Sequence, residues 1–471
     1  MSYTVDLMLA TINGNVLSLR KTPFIKSDLS TLMAILSHGQ SININHIDLT
    51  ESNIELSVLL EVCQIIKIHP RINSLDLSGN NLNNEDIITL VQLLLTLEID
   101  ITYLRLDRNN VGNSGLEALA TVPSLRILSV RDNSITAISP LLCQSTILKQ
   151  LYLDRNNIGD SIHLFENNSS LHTLSLRGCQ IKASQLEAIA RNTTLRNLCL
   201  AENKFGDDGA EKLTTTQIPA LDCTSCGLTN AGVITLLVNR NFRKLELDLN
   251  DIDNDVLPQF TQNNTLASVS LGGNHLTDDH TEALFTHASL VNLNFYNNYI
   301  TSALALLFIG QNSIVTDINL YTNHLDTEME EKVCAKADAN KRQLVQNQIN
   351  LNIFLLSYHR SRNKFVQDYI PTKNYPLLLQ LPADIMLIVL SFLKFTEFQL
   401  STKQIELQFR FFQSNHGELK RNVTDKTITR PMFSLIRQYQ EKCHQQQQLP
   451  LQKSVVAAKP TTQANTSVLS S

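Results

Sequence analysis

One pattern constrains this 471-residue chain more than any other feature: L-x-x-L-x-L-x-x-N-x-L, with apolar residues in the Leu slots, returns twelve times. Clear copies are Ile72–Leu82 (INSLDLSGNNL), Leu148–Ile158 (LKQLYLDRNNI), Leu195–Phe205 (LRNLCLAENKF) and Leu266–Leu276 (LASVSLGGNHL). Aligned on the Asn slot, the series runs Ser52, Asn80, Asn109, Asn133, Asn156, Cys179, Asn203, Cys226, Asn250, Asn274, Asn298 and Asn323, and a degenerate thirteenth unit with Thr22 in the slot opens it. Such a chain is one supersecondary unit stacked on copies of itself, so it grows by repetition and escapes the size limit of a single compact core.

Each pattern residue has a physical task. The L-x-L core has period two, which points both Leu side chains inward and makes a short strand that pairs in parallel with its neighbours. The slot residue lies where the chain turns inward and leaves amides and carbonyls that a buried donor-acceptor side chain satisfies, so stacked asparagines form a ladder. A thiol satisfies fewer such groups, and Cys179 and Cys226 are expected to be its weak rungs. The units resemble leucine-rich repeats. The fold expected is therefore α/β, a leucine-rich repeat solenoid (horseshoe) with a parallel sheet on the concave face, followed by a small all-α C-terminal region. The first slots are 30, 28 and 29 residues apart, long enough for true helices at Ser27–Ser37, Leu56–Ile68 and Glu85–Leu97. From Asn109 the steps fall to 23–25, leaving room for brief helices such as Gly112–Leu119 (GNSGLEAL) and Gly206–Leu213 (GDDGAEKL).

Residues 1–326 are assigned to the solenoid. Thr327–Glu330 reads as a capping box that starts a helix with Met329, Val333, Ala337 and Val345 on an apolar stripe, and residues 327–370 are expected to cover the open end of the stack. Pro371, Lys373 and Pro376 mark a hinge before a helical region at 376–443. There, Leu381–Leu400 (LPADIMLIVLSFLKFTEFQL) resembles the opening part of an F-box, matched by Leu381, Pro382, Ile385, Leu390 and Leu393. The resemblance implies docking onto the Skp adaptor of cullin-RING ubiquitin ligases. The family's later V-C-x-x-W element is absent, the chain has no Trp, and the segment follows the repeats instead of preceding them. A plain amphipathic hairpin accounts for the same residues. Residues 444–471 lack acids and large apolar clusters and read as a disordered tail.

Composition narrows the function. Residues 402–471 hold 10 Lys+Arg against 4 Asp+Glu, so the other 401 residues carry −11 of the net −5, a poor balance for nucleic acid. No apolar run is long enough to span a membrane, and the first twenty residues show no secretory leader. The register places Cys223 in a strand Leu slot and Cys226 in the ladder, which argues against a redox or zinc role for that C-x-x-C. With no phosphate loop, nucleophile elbow or ligand cluster, we expect no enzyme, metal or cofactor. Binding is expected on the concave face. There Arg105, Arg131 and Arg177 alternate with Asp107 and Asp154 around Tyr152, and Tyr296 and Tyr321 lie near the far end with Tyr299. Arg and Tyr are enriched at protein hot spots, whereas Arg/Asp alternation is equally what neighbour-to-neighbour ion pairing looks like.

The short units, for example Asn192–Leu213 (NTTLRNLCLAENKFGDDGAEKL), resemble the ribonuclease-inhibitor-like repeats of effectors from intracellular bacteria of the Legionella type. With the F-box-like segment, that resemblance implies a protein secreted into the host-cell cytoplasm, where it captures a host protein and recruits a ligase. The alternative is a simple leucine-rich repeat binder or inhibitor with a purely structural helical C-terminus.

Overall fold

A computed structural model describes Met8, residues 11–37 and residues 43–362. Two compact units are distinguished, Met1–Gln346 and Asn347–Ser471, and the first holds all the repeats. The F-box-like segment Leu381–Leu400, the hinge and the tail lie outside the described residues.

The repeats build a fourteen-stranded sheet whose order follows the sequence. Its strands from Val16–Ser18 onward are parallel, and each pairs its central apolar residue with the next, as in Leu75↔Leu104 and Leu198↔Leu221. That row and the second one (Leu106, Val130, Leu153, Leu176, Leu200, Cys223) are buried. Fully removing a Leu side chain from water contributes roughly 1.5–3 kcal/mol, repeated at every rung. One strand departs from the expected parallel sheet: Ile12–Asn13 pairs antiparallel with Val16–Ser18. The hairpin turns at Gly14 and Asn15, where Gly14 takes φ +61°, and it covers the edge that the first repeat would otherwise leave open.

Helices close each unit on the opposite side. The long early units carry Leu29–Ser37, Leu56–Ile68 and Asn84–Thr96, and the shorter ones carry one or two turns, such as Asn113–Leu119 and Gly206–Lys212. The second glycine of GNSG is dictated by the unit before it. Asn84 Oδ1 accepts the Gly112 and Gly115 amides (2.7 and 3.0 Å), and a Cβ at Gly115 would come within 2.8 Å of that oxygen.

The slot side chains hold the turns. Asn109 Nδ2 donates to the Leu77 and Leu106 carbonyls (3.0 Å each), while its Oδ1 accepts the Asn80 and Leu82 amides (3.0 and 2.9 Å). Asn80, Asn156, Asn203, Asn250, Asn274 and Asn298 are buried and repeat these bonds in whole or in part. Asn133 and Asn323 make them half-buried, and Asn323 has no following repeat to cover it. Cys179 and Cys226 donate through sulfur to the Leu153 and Leu200 carbonyls (3.3 and 3.1 Å). Burial pushes the Cys179 thiol up to about 12, which keeps it the neutral donor this slot needs.

A second polar row, unforeseen from the sequence, lines the opposite edge, where each helical segment turns back into a strand. It runs Ser145, Asn168, Asn192, Thr216, Asn239, Asn263, His287 and Asn312, again 23–25 residues apart. Asn192 shows the scheme: Nδ2 donates to the Phe165 and Asn168 carbonyls (2.8 and 2.9 Å), and Oδ1 accepts the Thr194 and Leu195 amides (2.9 Å each). His287 fills the same place with a ring, Nε2 donating to the Phe260 and Asn263 carbonyls and Nδ1 accepting the Ser289 amide. The row ends on the helix Thr327–Arg362. Asn340 of that helix donates to Asn312 Oδ1 and the Val315 carbonyl (3.1 and 2.8 Å), while Val333 and Ala337 bury against the last repeat. The start of this helix corrects the expected box: Asp326, not Thr327, is the cap, accepting the Met329 amide at 2.7 Å.

Candidate functional site

Solvent-facing residues of the sheet come from the positions beside the two buried rows. Many lie deeper than the period-two pattern implies. Asp76, Asp107, Asp154, Ser78, Ser129, Ser175 and Ala201 are all buried, because each repeat leans its side chains and amides onto the one before. Asp107 Oδ1 accepts the Ser129 hydroxyl and the Arg131 amide, and Asp154 Oδ1 does the same for Ser175 and Arg177. Asp248 repeats the motif with Ser270 and Gly272. These carboxylates stitch neighbouring repeats together and are not displayed to a partner.

The arginines stand above them. Arg105 Nε bonds Asp107 at 2.6 Å and its Nη1 reaches Asp76 at 3.6 Å; Arg131 Nε lies 2.8 Å from Asp154. Arg131 also stacks over Tyr152, 4.5 Å from the ring centroid, and the Tyr152 hydroxyl donates to Gln150. Arg177 Nη2 bonds Glu202 at 2.6 Å. The structure thus brings Arg105, Arg131, Tyr152 and Arg177 onto one stretch of the sheet, with each guanidinium already tied to a carboxylate of this chain. Half-exposed pairs of this kind contribute at most about 1 kcal/mol each. Glu202, which the sequence reading missed, also lies 3.9 Å from Arg155. It occupies the residue just before the ladder slot. That position takes a left-handed backbone in every repeat, at Arg108, Asp132, Arg155, Glu202 and Leu249 among others, and so swings its side chain toward the concave rim.

Toward the far end the character changes. Tyr296 and Tyr321 occupy equivalent positions two residues beyond the paired strands Asn292–Asn294 and Asp317–Asn319, and they are 47% and 58% exposed. Their backbone amides are fixed by Asn294 and Asn319 Oδ1 (3.0 and 3.1 Å), which holds two aromatic side chains side by side on a rigid base. Tyr299 is exposed as well and stacks on His324, with ring centroids 5.9 Å apart.

Electrostatics follow the same division. The hydrogen bond from Arg177 holds the Glu202 carboxyl below its usual range against the opposing effect of burial. Burial, with Asp222 nearby, pushes Asp248 up. Burial also lowers His46, which outweighs the Asp76 and Asp48 carboxylates around it. Cys223 is fully buried and raised well above an ordinary thiol by its hydrogen bond with Cys226 and by burial, the reverse of what a nucleophile or zinc thiolate needs. Among the described residues no group of acidic, His and Cys side chains is arranged to hold a metal ion, and no helix is long and apolar enough to cross a membrane.

A leucine-rich repeat family model matches residues 100–120, 167–190 and 191–213. Curated relatives include ribonuclease inhibitor from Mus musculus, 24% identical over 230 residues, and from Sus scrofa, 26% identical over 209. The chain folds as a leucine-rich repeat solenoid, and its repeats are similar to those of ribonuclease inhibitor. The matched part of this leucine-rich repeat protein is 45% and 40% of its own length and spans 45% and 42% of those relatives. Among solved structures, an internalin from Listeria monocytogenes aligns with a TM-score of 0.38 at 21% identity, covering 58% of this chain and 81% of that one.

Proposed function

We propose that this leucine-rich repeat protein is a non-enzymatic scaffold that captures another protein on its concave face, with Tyr296 and Tyr321 as anchors. One observation carries the reading: two large aromatic side chains sit exposed on adjacent strands of a rigid sheet, whereas the mid-face arginines are each engaged within the chain. Exposed, preorganised tyrosines lose little entropy on binding and supply much contact area. The F-box-like segment supports a sharper form, in which the solenoid holds a host protein and Leu381, Pro382, Ile385, Leu390 and Leu393 recruit the Skp adaptor. In that form the protein is a bacterial effector acting in the host cytoplasm. The likeness to proteins named ribonuclease inhibitors supports a second form, a binder that blocks its partner and uses its C-terminus only structurally.

A pull-down from eukaryotic lysate tests these together. Tyr296→Ala with Tyr321→Ala should weaken capture by about 2 kcal/mol or more while leaving thermal unfolding unchanged; undiminished capture removes this site. Recovery of the Skp adaptor by the full chain, but not by a chain ending at Lys373 or by Leu381→Ala with Pro382→Ala, supports the adaptor form. Capture without the adaptor leaves the blocking form.

A further inference from the structure

Five arginines line a single depression of about 630 Å³ on the concave face: Arg105, Arg108, Arg131, Arg155 and Arg177, with Asp107, Asp132 and Asp154 as the carboxylates in its wall. The pairing described above uses only part of each guanidinium. Arg131 engages Asp154 through Nε, Arg177 engages Glu202 through Nη2, and Arg108 engages Glu51 through Nη1 at 2.8 Å. Arg155 is held most loosely, 3.6 Å from Asp132 and 3.9 Å from Glu202. A guanidinium carries five N–H donors in a planar fork, so every one of these side chains keeps donors for a ligand. Arg131 Nε and Arg177 Nε are both buried and make no hydrogen bond among the described residues, the contact of Arg131 with Asp154 being an ion pair.

Depth separates most of the charge by sign. In the wall the Asp107 and Asp154 side chains are 6% and 12% exposed and Asp132 is 38% exposed, whereas the arginine side chains are 34–56% exposed. A ligand entering from the concave side therefore meets five guanidinium groups against one exposed wall carboxylate, with Arg105 and Arg131 fixed from beneath by Asp107 and Asp154 and the others held at the rim by Asp132, Glu202 and Glu51. Fixing them in advance removes much of the rotamer entropy that a free arginine loses on binding.

We propose that this depression receives a phosphorylated segment of the captured protein. The inference rests on the protein-capture reading above and names part of the partner's chemistry. Several forks converging on one space match a phosphoryl group, which carries nearly two charges and three strong acceptor oxygens, better than a lone carboxylate with one charge and two. The depression spans the strands from Tyr103–Arg105 to Asn197–Cys199, four strand spacings or roughly 19 Å, wider than one phosphate. The remaining width suits the chain on either side of the modified residue, and Tyr152 braces Arg131 from below.

The test uses the full chain and degenerate peptide libraries with a central phosphoserine, phosphothreonine or phosphotyrosine, beside the same libraries unphosphorylated and with Glu at the centre. At least one phosphorylated library should bind tenfold or more above its unphosphorylated and Glu counterparts. Arg131→Ala should abolish that excess, and Arg131→Lys should restore only a minor part of it. Arg108→Gln with Arg155→Gln alters two exposed rim residues without uncovering Asp107 or Asp154, and should reduce the excess at least fivefold in a normally folded protein. Equal binding of phosphorylated and unphosphorylated libraries overturns the proposal, as does inorganic phosphate binding as tightly as any phosphopeptide. Phosphatase treatment of the lysate separates this proposal from the one it rests on. Capture that survives the phosphatase but is lost with Tyr296→Ala and Tyr321→Ala keeps the scaffold and overturns the phosphoryl site; no capture by any version, with the phosphopeptide excess intact, does the opposite.

Discussion

The ladder side chain Asn156 offers a stability test whose size follows from its bonds. It is 2% exposed; Nδ2 donates to the Val130 and Leu153 carbonyls (2.9 and 2.8 Å), and Oδ1 accepts the Ile135 amide (3.1 Å). Asn156→Leu keeps the branched shape, removes all three bonds and leaves the Val130 carbonyl and the Ile135 amide without that partner, while the Leu153 carbonyl keeps the Cys179 thiol. At about 1 kcal/mol for each of the two, the low end for a buried group because the turn borders solvent, the cost is about 2 kcal/mol. Asn156→Cys should cost only about 1 kcal/mol, because the thiols of Cys179 and Cys226 still reach the equivalent carbonyls and only the acceptor for Ile135 is lost. The converse change, Cys179→Asn, gives the Ile158 amide the acceptor that its counterpart Ile181 has in Asn203, and should stabilise by about 1 kcal/mol. Urea unfolding of the full chain followed by circular dichroism ranks the three, and hydrogen exchange at the Ile135 amide reports the local loss even if the stack melts in parts. A wild-type midpoint and undiminished Ile135 protection in Asn156→Leu would refute the bonding scheme. Equal losses from Leu and Cys would show that the carbonyls do not need the donor.

Three further outcomes follow from the same packing. In the second polar row His287→Asn should stay within about 1 kcal/mol of wild type in urea, since asparagine fills the sibling rungs, whereas His287→Leu should cost about 2–3 kcal/mol. Gly232→Ala forces a Cβ against the Asp207 carboxylate that accepts the Thr229 amide and hydroxyl, and should lower stability by about 1–3 kcal/mol; Gly310→Ala, in open space within the helix Ser302–Gln311, should raise it by about 0.5 kcal/mol. For Asp248, burial raises the carboxyl, so its protonated form favours folding and that contribution is lost as pH rises through the folded-state value. Asp248→Asn keeps an oxygen for Ser270 and Gly272 and should stabilise at neutral pH, with the advantage shrinking as pH falls into the carboxylate range; an advantage that grows in acid reverses the sign of this argument.

Much of the fold is legible because its two strongest signals are chemically uniform: aliphatic residues at period two and a recurring asparagine. The second polar row escaped for the opposite reason. Ser145, Asn168, Thr216 and His287 are four residue types performing one task, accepting an amide two residues on, and only their spacing and the Ser or Thr that often follows betrays them. The left-handed position before each slot carries Gly or Asn only at Gly79, Gly178, Gly273 and Asn297 and otherwise Arg, Asp, Glu, Lys, Ser, Thr or Leu, so propensity marks it in a minority of repeats. The N-terminal hairpin did have a signal, since Gly14-Asn15 between Ile12 and Val16 is a two-residue turn of the favoured kind. On the concave face, alternation fixed which residues leave the core but not their depth. Asp107 and Asp154 are buried because Ser129, Arg131, Ser175 and Arg177 of the following repeats close over them, a contact between units that no single repeat displays.

That inter-repeat closure bears on how such a face acquires specificity. From Gln150–Tyr152 onward the two polar rows and the apolar rows hold the backbone at both edges of the strands, so that part of the stack is held without the residues displayed between them. A residue such as Tyr321, whose ring is exposed, can then change with little cost to the fold. Arg131 differs, because removing it leaves the Asp154 carboxylate, 9% exposed, with neutral donors alone. Burying a charge without its counter-charge is costly, so positions of this kind tie recognition to stability, and variation there has to move in pairs. The far aromatic end is thus the part of the face where a new partner is most easily accommodated, and the arginine depression the part where a fixed chemistry is most easily kept.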